Sequence, residues 1–104
     1  MTKLIRNPNR APTHPGIMLR DVIFPNLKEK HKITIQELAS YLGVSRQVLH
    51  RIFKGEASIS VNIALKLGKL CGNGEILWLN MQSKYDVYNA KQSIDLENIP
   101  TFAA

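Results

Sequence analysis

The apolar residues of this chain recur at helical spacing in five segments, which are separated by glycine, proline or short polar stretches. The segments cover residues 15–24, 35–42, 46–54, 61–71 and 75–90. Three-to-four-residue spacing of apolar positions is typical of helices that pack one face against a core. No segment alternates as a half-buried strand would, although residues 99–102 could be extended. The sequence predicts an all-α bundle of five helices.

The predicted helix ends rest on capping chemistry. Pro15 suits the first turn of the first helix because its missing N–H would have no partner there, and Pro25 is expected to end that helix. The charged residues 28–32 then form a connection. Thr34 and Glu37 have the spacing of a capping box at the start of the second helix. Ser60 can cap the fourth helix.

The second and third helices follow each other closely. Gly43 can end one helix in the left-handed conformation, and Ser45 can cap the next with its hydroxyl. Two helices joined by so short a glycine-containing turn form a helix-turn-helix unit. Ala39 provides the small side chain needed where they touch. The expected shared core consists of Leu38, Leu42, Val44, Leu49 and Ile52.

The third helix divides into an apolar and a cationic side. At about 100° per residue, one side holds Val48, Leu49, Ile52 and Phe53, and an arc of about 140° opposite holds Arg46, Gln47, His50, Arg51 and Lys54. A polar arc is often only the solvated face of a helix. This arc has no carboxylate, however, which favours a polyanionic partner over that interpretation.

The overall charge agrees with such a partner. The net charge is +6 and the pI about 9.7, as in many nucleic-acid-binding domains. Residues 1–13 form a basic segment with no helical pattern, which we expect to be a flexible arm before a domain at residues 14–91. The C-terminal tail, residues 92–104, has acids and no cations. The positive potential is therefore expected in the first three quarters of the chain.

The side chains suit contact with the major groove of DNA. Arginine can bond guanine and glutamine adenine, and the first turns of a recognition helix touch base edges. The candidates for base contacts are Arg46, Gln47, His50 and Arg51. The candidates for phosphate contacts, which set position rather than sequence preference, are Gln36, Ser45, Lys54, Ser58 and Asn62.

Three stretches together resemble one family. The stretches THPGIMLRDVIFP, ELASYLGVSRQVLHRIFKGEASIS and ALKLGKLCGNGEILWLNMQSKYDVYNA resemble the HigA family of antitoxins over residues 12–90. The resemblance implies a five-helix bundle of the phage-repressor-like helix-turn-helix class. It also implies a homodimer that represses its own operon and neutralises a HigB-type ribonuclease toxin. The sequence departs from the family pattern at residues 73–75, where a proline often opens the last helix, and at residues 28–32.

The last helix carries more apolar residues than one face can bury. Residues 76–79 are four consecutive apolar residues. Repressors that bind paired half-sites need a two-fold dimer to present two recognition helices. The expected dimer contacts are Trp78, Leu79, Met81 and Tyr85. For Trp78 the alternative is that it fills the monomer core.

Other site chemistries are disfavoured. The chain has one cysteine, Cys71, so no intrachain disulfide can form, and we expect it to be a small core residue. His14 is expected to cap or pack the first helix and His31 to lie in the lysine-rich connection. No metal-ligand spacing, cofactor motif or catalytic set is present, so we expect no enzyme. With no signal peptide and no membrane-length apolar run, a cytoplasmic location is expected.

Three functions remain open at this stage. The first is an antitoxin that binds a palindromic double-stranded DNA operator and a HigB-type toxin. The second is a free-standing phage-type transcriptional repressor without a toxin partner. The third is an interaction module whose cationic helix binds an acidic protein. A steep loss of affinity with added salt would favour DNA over the third.

Overall fold

The computed structural model describes residues 11–104, and every regular element among them is helical. A continuous helical segment, α1, covers residues 15–31. It is followed by α2 (Ile35–Leu42), α3 (Arg46–Phe53), α4 (Val61–Cys71) and α5 (Glu75–Lys91). The predicted five-helix bundle is confirmed. Most of the predicted arm lies outside the described residues, and residues 92–104 form no helix.

The first helix is longer than predicted because Pro25 does not end it. The segment is α-helical at Pro15–Met18, π-helical at Leu19–Ile23 and α-helical again at Phe24–His31. In the π turn the Phe24 N–H donates to the carbonyl of Leu19, five residues earlier. In a regular α-helix the Pro25 ring would clash with the carbonyl of Asp21, four residues earlier, and the wider turn relieves this clash. The expected loop at 28–32, including His31, is therefore the last turn of α1, which ends at Lys32 with φ +57°.

The other helix ends follow the predicted capping chemistry. The Thr34 hydroxyl accepts from the Glu37 N–H at 3.1 Å, and the Glu37 carboxylate accepts from the Thr34 N–H at 3.0 Å. Ser60 accepts from the N–H of Ile63 at 3.2 Å at the start of α4. Gly72 ends α4 in the left-handed conformation, with φ +73°. Each cap satisfies backbone groups that a helix end leaves free.

A single core lies where all five helices meet. Its fully buried side chains include residues from every helix, namely Leu19, Leu38, Ala39, Leu42, Leu49, Ile52, Ala64, Leu67 and Trp78. Val44 packs against this core from the turn, as expected. Cys71 is only partly buried at its edge, and burial raises the pKa of its thiol. The core explains how a chain of this size holds short helices that would not be stable alone.

The structure places Trp78 inside the monomer core, so the expectation that it contacts a second chain is wrong. Its side chain is 0% exposed, and its indole N–H donates to the Asn73 side-chain oxygen at 3.1 Å. A large aromatic ring in the first turn of α5 fills the space under α4, because α4 and α5 pack closely. Gly68 permits this approach, since a β-carbon there would overlap the backbone of Gly74.

His14 joins the start of α1 to the last helix. It is 2% exposed, its Nδ1 accepts from the Gly16 N–H at 2.9 Å, and its ring meets Tyr85 edge to face with centroids 4.8 Å apart. It therefore both caps and packs α1. Burial lowers the pKa of His14, an effect that the negative charge of Asp86 partly opposes. The cap needs the neutral ring, since a protonated Nδ1 cannot accept a hydrogen bond.

We expect the free energy of unfolding to fall as the pH drops below about 6.5, the ordinary histidine pKa. The folded-state pKa of His14 is lower than the unfolded one, so the unfolded chain takes up the proton first. The stabilisation by neutral His14 is thus complete above about pH 6.5. It declines as the pH falls from there to the folded-state pKa. Urea unfolding between pH 8 and pH 5 measures this.

The matched variant is His14→Asn, because asparagine caps helices but does not titrate. Loss of the ring packing should lower its stability at pH 8 by about 1 to 2 kcal/mol. Its stability should then vary less with pH over this range than that of the parent chain. Equal pH dependence in the two proteins would contradict the assignment to His14.

Candidate nucleic-acid interface

A tight turn sets the angle between α2 and α3. Gly43 has φ +69°, and its N–H donates to the Ser40 carbonyl at 3.1 Å. The next N–H, of Val44, donates to the Ala39 carbonyl at 3.0 Å. Two such bonds close the end of a helix when glycine takes the left-handed conformation. Ala39 itself is 1% exposed between the helices, as its small size predicted.

A lysine from α4 strengthens this turn. The Lys66 ammonium donates to the Leu42 carbonyl at 3.4 Å and lies over Gly43, where a β-carbon would come into contact with it. A cation near the C-terminal carbonyls of a helix is favourable because of the helix dipole. Lys66 is not predictable as a contact of this turn from sequence, since only the tertiary structure brings α4 to it.

The third helix presents one buried and one exposed side. Leu49, Ile52 and Phe53 are buried, and the Ser45 hydroxyl caps the helix by accepting from the Val48 N–H at 3.1 Å. The exposed side chains are Arg46, Gln47, His50, Arg51 and Lys54, as the predicted polar arc requires. The apolar side is narrower than predicted. Val48 is 36% exposed because it lies beyond the edge of the three buried residues.

The cations of this face are free of ion pairs. Over residues 11–104 the one salt bridge joins Arg20 to Asp21 at 2.7 Å, and it lies on α1. The exposed face of α3 contains three permanent cations and no acid, so its positive charge is not neutralised by the protein itself. The ring of His50 rests edge-on near Phe53, with centroids 6.1 Å apart. Such a face attracts a polyanion.

The first helix holds α3 from behind. Gly16 lies so close to Ile52 that a β-carbon there would overlap the Ile52 carbonyl. Arg20 donates from one guanidinium nitrogen to the Phe53 carbonyl at 3.3 Å, while its other nitrogens bond Asp21 at 2.7 and 3.0 Å. The same contact with Arg20 lowers the pKa of the Asp21 carboxyl. Backbone contacts therefore fix the position of α3, and its outer side chains stay free.

The expected phosphate-contact residues are all at the surface. Gln36 lies in the first turn of α2, Asn62 in the first turn of α4 and Ser58 in the connection before α4, and each side chain is exposed. Ser45 is also exposed, and its hydroxyl keeps a proton to donate while its oxygen serves as the cap. Together with Lys54 they come from two helices and two connections.

A buried glutamine that the sequence analysis missed positions the connection carrying Ser58. Gln82 is 6% exposed, and its side-chain oxygen accepts from the Ile59 N–H at 2.8 Å. Its amide nitrogen donates to the Asp86 carboxylate at 2.9 Å. Gln82 thus ties the α3–α4 connection to α5. Its place in the stretch WLNMQSKYD was the available signal, but a polar residue in an amphipathic helix gives no indication of being buried.

The four residues expected at a dimer contact differ in their burial. Leu79, Met81 and Tyr85 are partly buried, whereas Trp78 is in the core. The more exposed apolar side chains of α5 are Ile76, Leu77 and Val87, at 62, 43 and 49%. Ile76 and Leu77 belong to the apolar run already noted in the sequence. Val87 lies on the Ile76 side of the helix, three turns later.

Two further findings concern other kinds of site. Within residues 11–104, no three histidine, cysteine or acidic side chains cluster as a metal ion would need. The helices of this same stretch are all too short or too polar to cross a bilayer.

Comparison with known proteins matches this chain to a helix-turn-helix family. Residues 26–79 match the helix-turn-helix family HTH_3. Over 74 residues, 68% of this chain, the sequence is 31% identical to a Saccharolobus solfataricus protein named for a predicted role as an HTH-type transcriptional regulatory protein. That stretch is 24% of the relative, so the chain spans about a quarter of the length of the Saccharolobus relatives it matches.

Two solved structures with DNA resemble the whole fold. The Pseudomonas aeruginosa antitoxin HigA with the higBA promoter is 28% identical, with a TM-score of 0.67 over 88% of this chain and 99% of that one. The antitoxin GraA in complex with its operator is 25% identical, with a TM-score of 0.73 over 97% of this chain and 100% of that one.

Proposed function

The chain belongs to the helix-turn-helix family, and from that premise we propose that it is an operator-binding antitoxin that acts as a homodimer. The observation that carries the proposal is the outer face of α3, which is exposed, acid-free and without internal ion pairs. Antitoxins of similar fold are known in complex with promoter or operator DNA. A face of this kind on a rigidly held helix suits the major groove.

In this proposal, α3 reads base edges. Arg46 and Gln47 lie in its first turn, with His50 and Arg51 one turn later. Arginine can bond guanine through two hydrogen bonds and glutamine can bond adenine in the same way. Gly16 and Arg20 fix the backbone behind the helix, so little ordering is needed when the side chains meet DNA.

Phosphate contacts then set the register. The proposed group is Gln36, Ser45, Lys54, Ser58 and Asn62. Gln36 and Asn62 lie at helix starts, where backbone N–H groups also favour anions. Lys54 directly follows α3 and adds charge without base specificity. Because Gln82 anchors the connection before α4, Ser58 is presented in a fixed position.

Pairing of two copies would place two α3 helices on adjacent half-sites. We assign the contact surface to the outer side of α5, where Ile76, Leu77 and Val87 are exposed. Leu79, Met81 and Tyr85 are partly exposed and can border it. Trp78 is excluded from this surface by its burial. Burying these apolar groups against an identical copy is favourable at about 25 cal/mol per Å².

The second half of the proposed function is neutralisation of a HigB-type ribonuclease toxin. The resemblance to HigA antitoxins and the similarity to solved antitoxin structures support it. The second candidate is a free-standing repressor. The similarity to a Saccharolobus transcriptional regulatory protein favours that alternative.

Replacing Arg46 by alanine should lower affinity by about 1 to 3 kcal/mol at one base pair and relax preference at that position, since it removes a base contact. Replacing Lys54 by alanine should weaken binding to all sequences alike. It should also reduce the slope of log affinity against log salt concentration (the salt slope) by about 1 per half-site. Binding titrations on a set of operator variants at several salt concentrations measure both effects.

Lys91→Ala is the matched control, because Lys91 is also exposed but ends α5. It should leave both affinity and salt slope unchanged. An Arg46→Ala protein with undiminished sequence preference would refute the assignment of α3 as the reading helix.

Replacing Leu77 by glutamate should convert the dimer to a monomer at micromolar concentration, since it places a charge in an apolar contact. Sedimentation equilibrium measures the change, and circular dichroism verifies that the helices persist. Val22→Glu is the control, because Val22 is similarly exposed on α1 at 52%. If both variants keep the parent association state, the dimer surface is not on α5.

Co-expression with the reading frame adjoining the gene tests the toxin partner. We expect that frame to encode a small ribonuclease that arrests growth alone and co-purifies with this chain when both are present. An Arg46→Ala, Arg51→Ala variant should still restore growth while losing operator binding, because neutralisation and DNA binding use different surfaces in this proposal. A chain that binds its operator but rescues no such arrest would be a free-standing repressor.

A further inference from the structure

The C-terminal tail, residues 92–104, exposes every large apolar side chain that it contains. Ile94, Leu96, Ile99 and Phe102 are 55, 54, 63 and 86% exposed. Its backbone bonds are local, such as Ile94 N–H to Ala90 and Ile99 N–H to Leu96. Four apolar groups in thirteen residues lose favourable burial while they face water. The tail therefore has the composition of a segment that is covered by a binding partner.

The tail is also the acidic part of a basic protein. Asp95 and Glu97 alternate with its apolar residues, and residues 92–104 contain no lysine or arginine. Its partner surface should therefore combine apolar contact area with positive charge.

A groove with that combination lies elsewhere on the same chain. It has a volume of about 650 Å³ and lies between the second half of α1 and the start of α2. Phe24, Ile33 and Ile35 provide apolar lining, while Lys28, Lys32 and Glu29 provide charged lining. With two lysines and one glutamate, the groove has a net positive charge. Its lysines have no ion-pair partner among the described residues.

We infer that the tail of one copy occupies the α1–α2 groove of a second copy. The apolar side chains of the tail would cover Phe24, Ile33 and Ile35, and Asp95 and Glu97 would meet Lys28 and Lys32. Opposite charges around an apolar contact fix its orientation and register. Because a two-fold pair has two tails and two grooves, both would be filled and the contact would close on itself.

The exposure of the tail favours the second copy over the same chain. Ile94, Leu96 and Phe102 all face solvent in the structure, so the tail does not lie in the groove of its own chain. Helix α5, which leads into the tail, meets α1 at its Pro15–Met18 end, whereas the groove begins at Phe24. Thirteen extended residues span at most about 43 Å, which is enough to reach a groove on an adjacent copy. The inference rests on the proposed homodimer but not on DNA or toxin binding.

Site-specific cross-linking tests this arrangement. In a Cys71→Ser background, one chain carries Lys28→Cys and a second chain, of different tag length, carries Glu97→Cys. After mixing, a short bismaleimide should join the two different chains. The matched control replaces Lys28→Cys by Lys30→Cys, which is exposed on the same helix but does not line the groove. We expect the Lys28 pair to give at least a fivefold higher yield.

Equal yields from the two positions would overturn the inference, because they would indicate random encounters of a mobile tail. A chain carrying both Lys28→Cys and Glu97→Cys, diluted into excess Cys71→Ser chain, tests the same-chain alternative. A product linked within that chain, in place of the product between chains, would also overturn the inference.

Charge reversal gives an independent measurement. Lys28→Glu with Lys32→Glu should raise the dimer dissociation constant severalfold, and adding Asp95→Lys with Glu97→Lys should restore it. No change in either protein would contradict the proposed pairing. If the protein dimerises through α5 and binds its operator but shows none of these effects, only the tail inference is refuted. A parent chain that is monomeric would refute the proposed homodimer as well.

Discussion

The close approach of α1 to α3 is the constraint on which the rest of this structure depends. The Gly16 backbone rests against the Ile52 carbonyl with no space for a side chain, and Arg20 bonds the last carbonyl of the same helix. These contacts act on the backbone of α3 and leave its outer side chains untouched. Had α3 been held through side chains on its outer face, the polar arc could not face a partner. Gly16 thus positions the candidate interface, although it is buried behind α3 and far from it in sequence.

The stretch from Trp78 to Asp86 supports that arrangement from the other side. Trp78 fills the core, Gln82 holds the connection before α4, Tyr85 stacks on His14, and Asp86 accepts a hydrogen bond from Gln82. This stretch of α5 therefore contacts the core, the α3–α4 connection and the residue before α1. The spacing of three or four residues between these four side chains places them on one face of α5. What resembles a family signature in the sequence is, in this structure, a set of packing and hydrogen-bonding contacts.

Local chemistry made much of the fold predictable from sequence. The caps at Thr34, Ser45 and Ser60 depend on residues within one helical turn, so a short window of sequence contains the whole interaction. The predicted end of α1 at Pro25 was wrong because a π turn lets the helix continue through the proline. The local sequence does not indicate that turn. The burial of Trp78 and Gln82 was not predictable either, since it depends on where α4 lies over α5. The exposed arc of α3 followed from periodicity alone, apart from Val48 at its margin.

The four outer side chains of α3 at positions 46, 47, 50 and 51 all face solvent and are absent from the buried core. Substitutions there can therefore accumulate with little effect on folding, because surface positions away from caps and cores change stability by only about 0.5 kcal/mol or less. If these side chains read the operator as proposed, duplicated copies of the gene could diverge at these four codons and come to regulate different promoters while each copy stays folded.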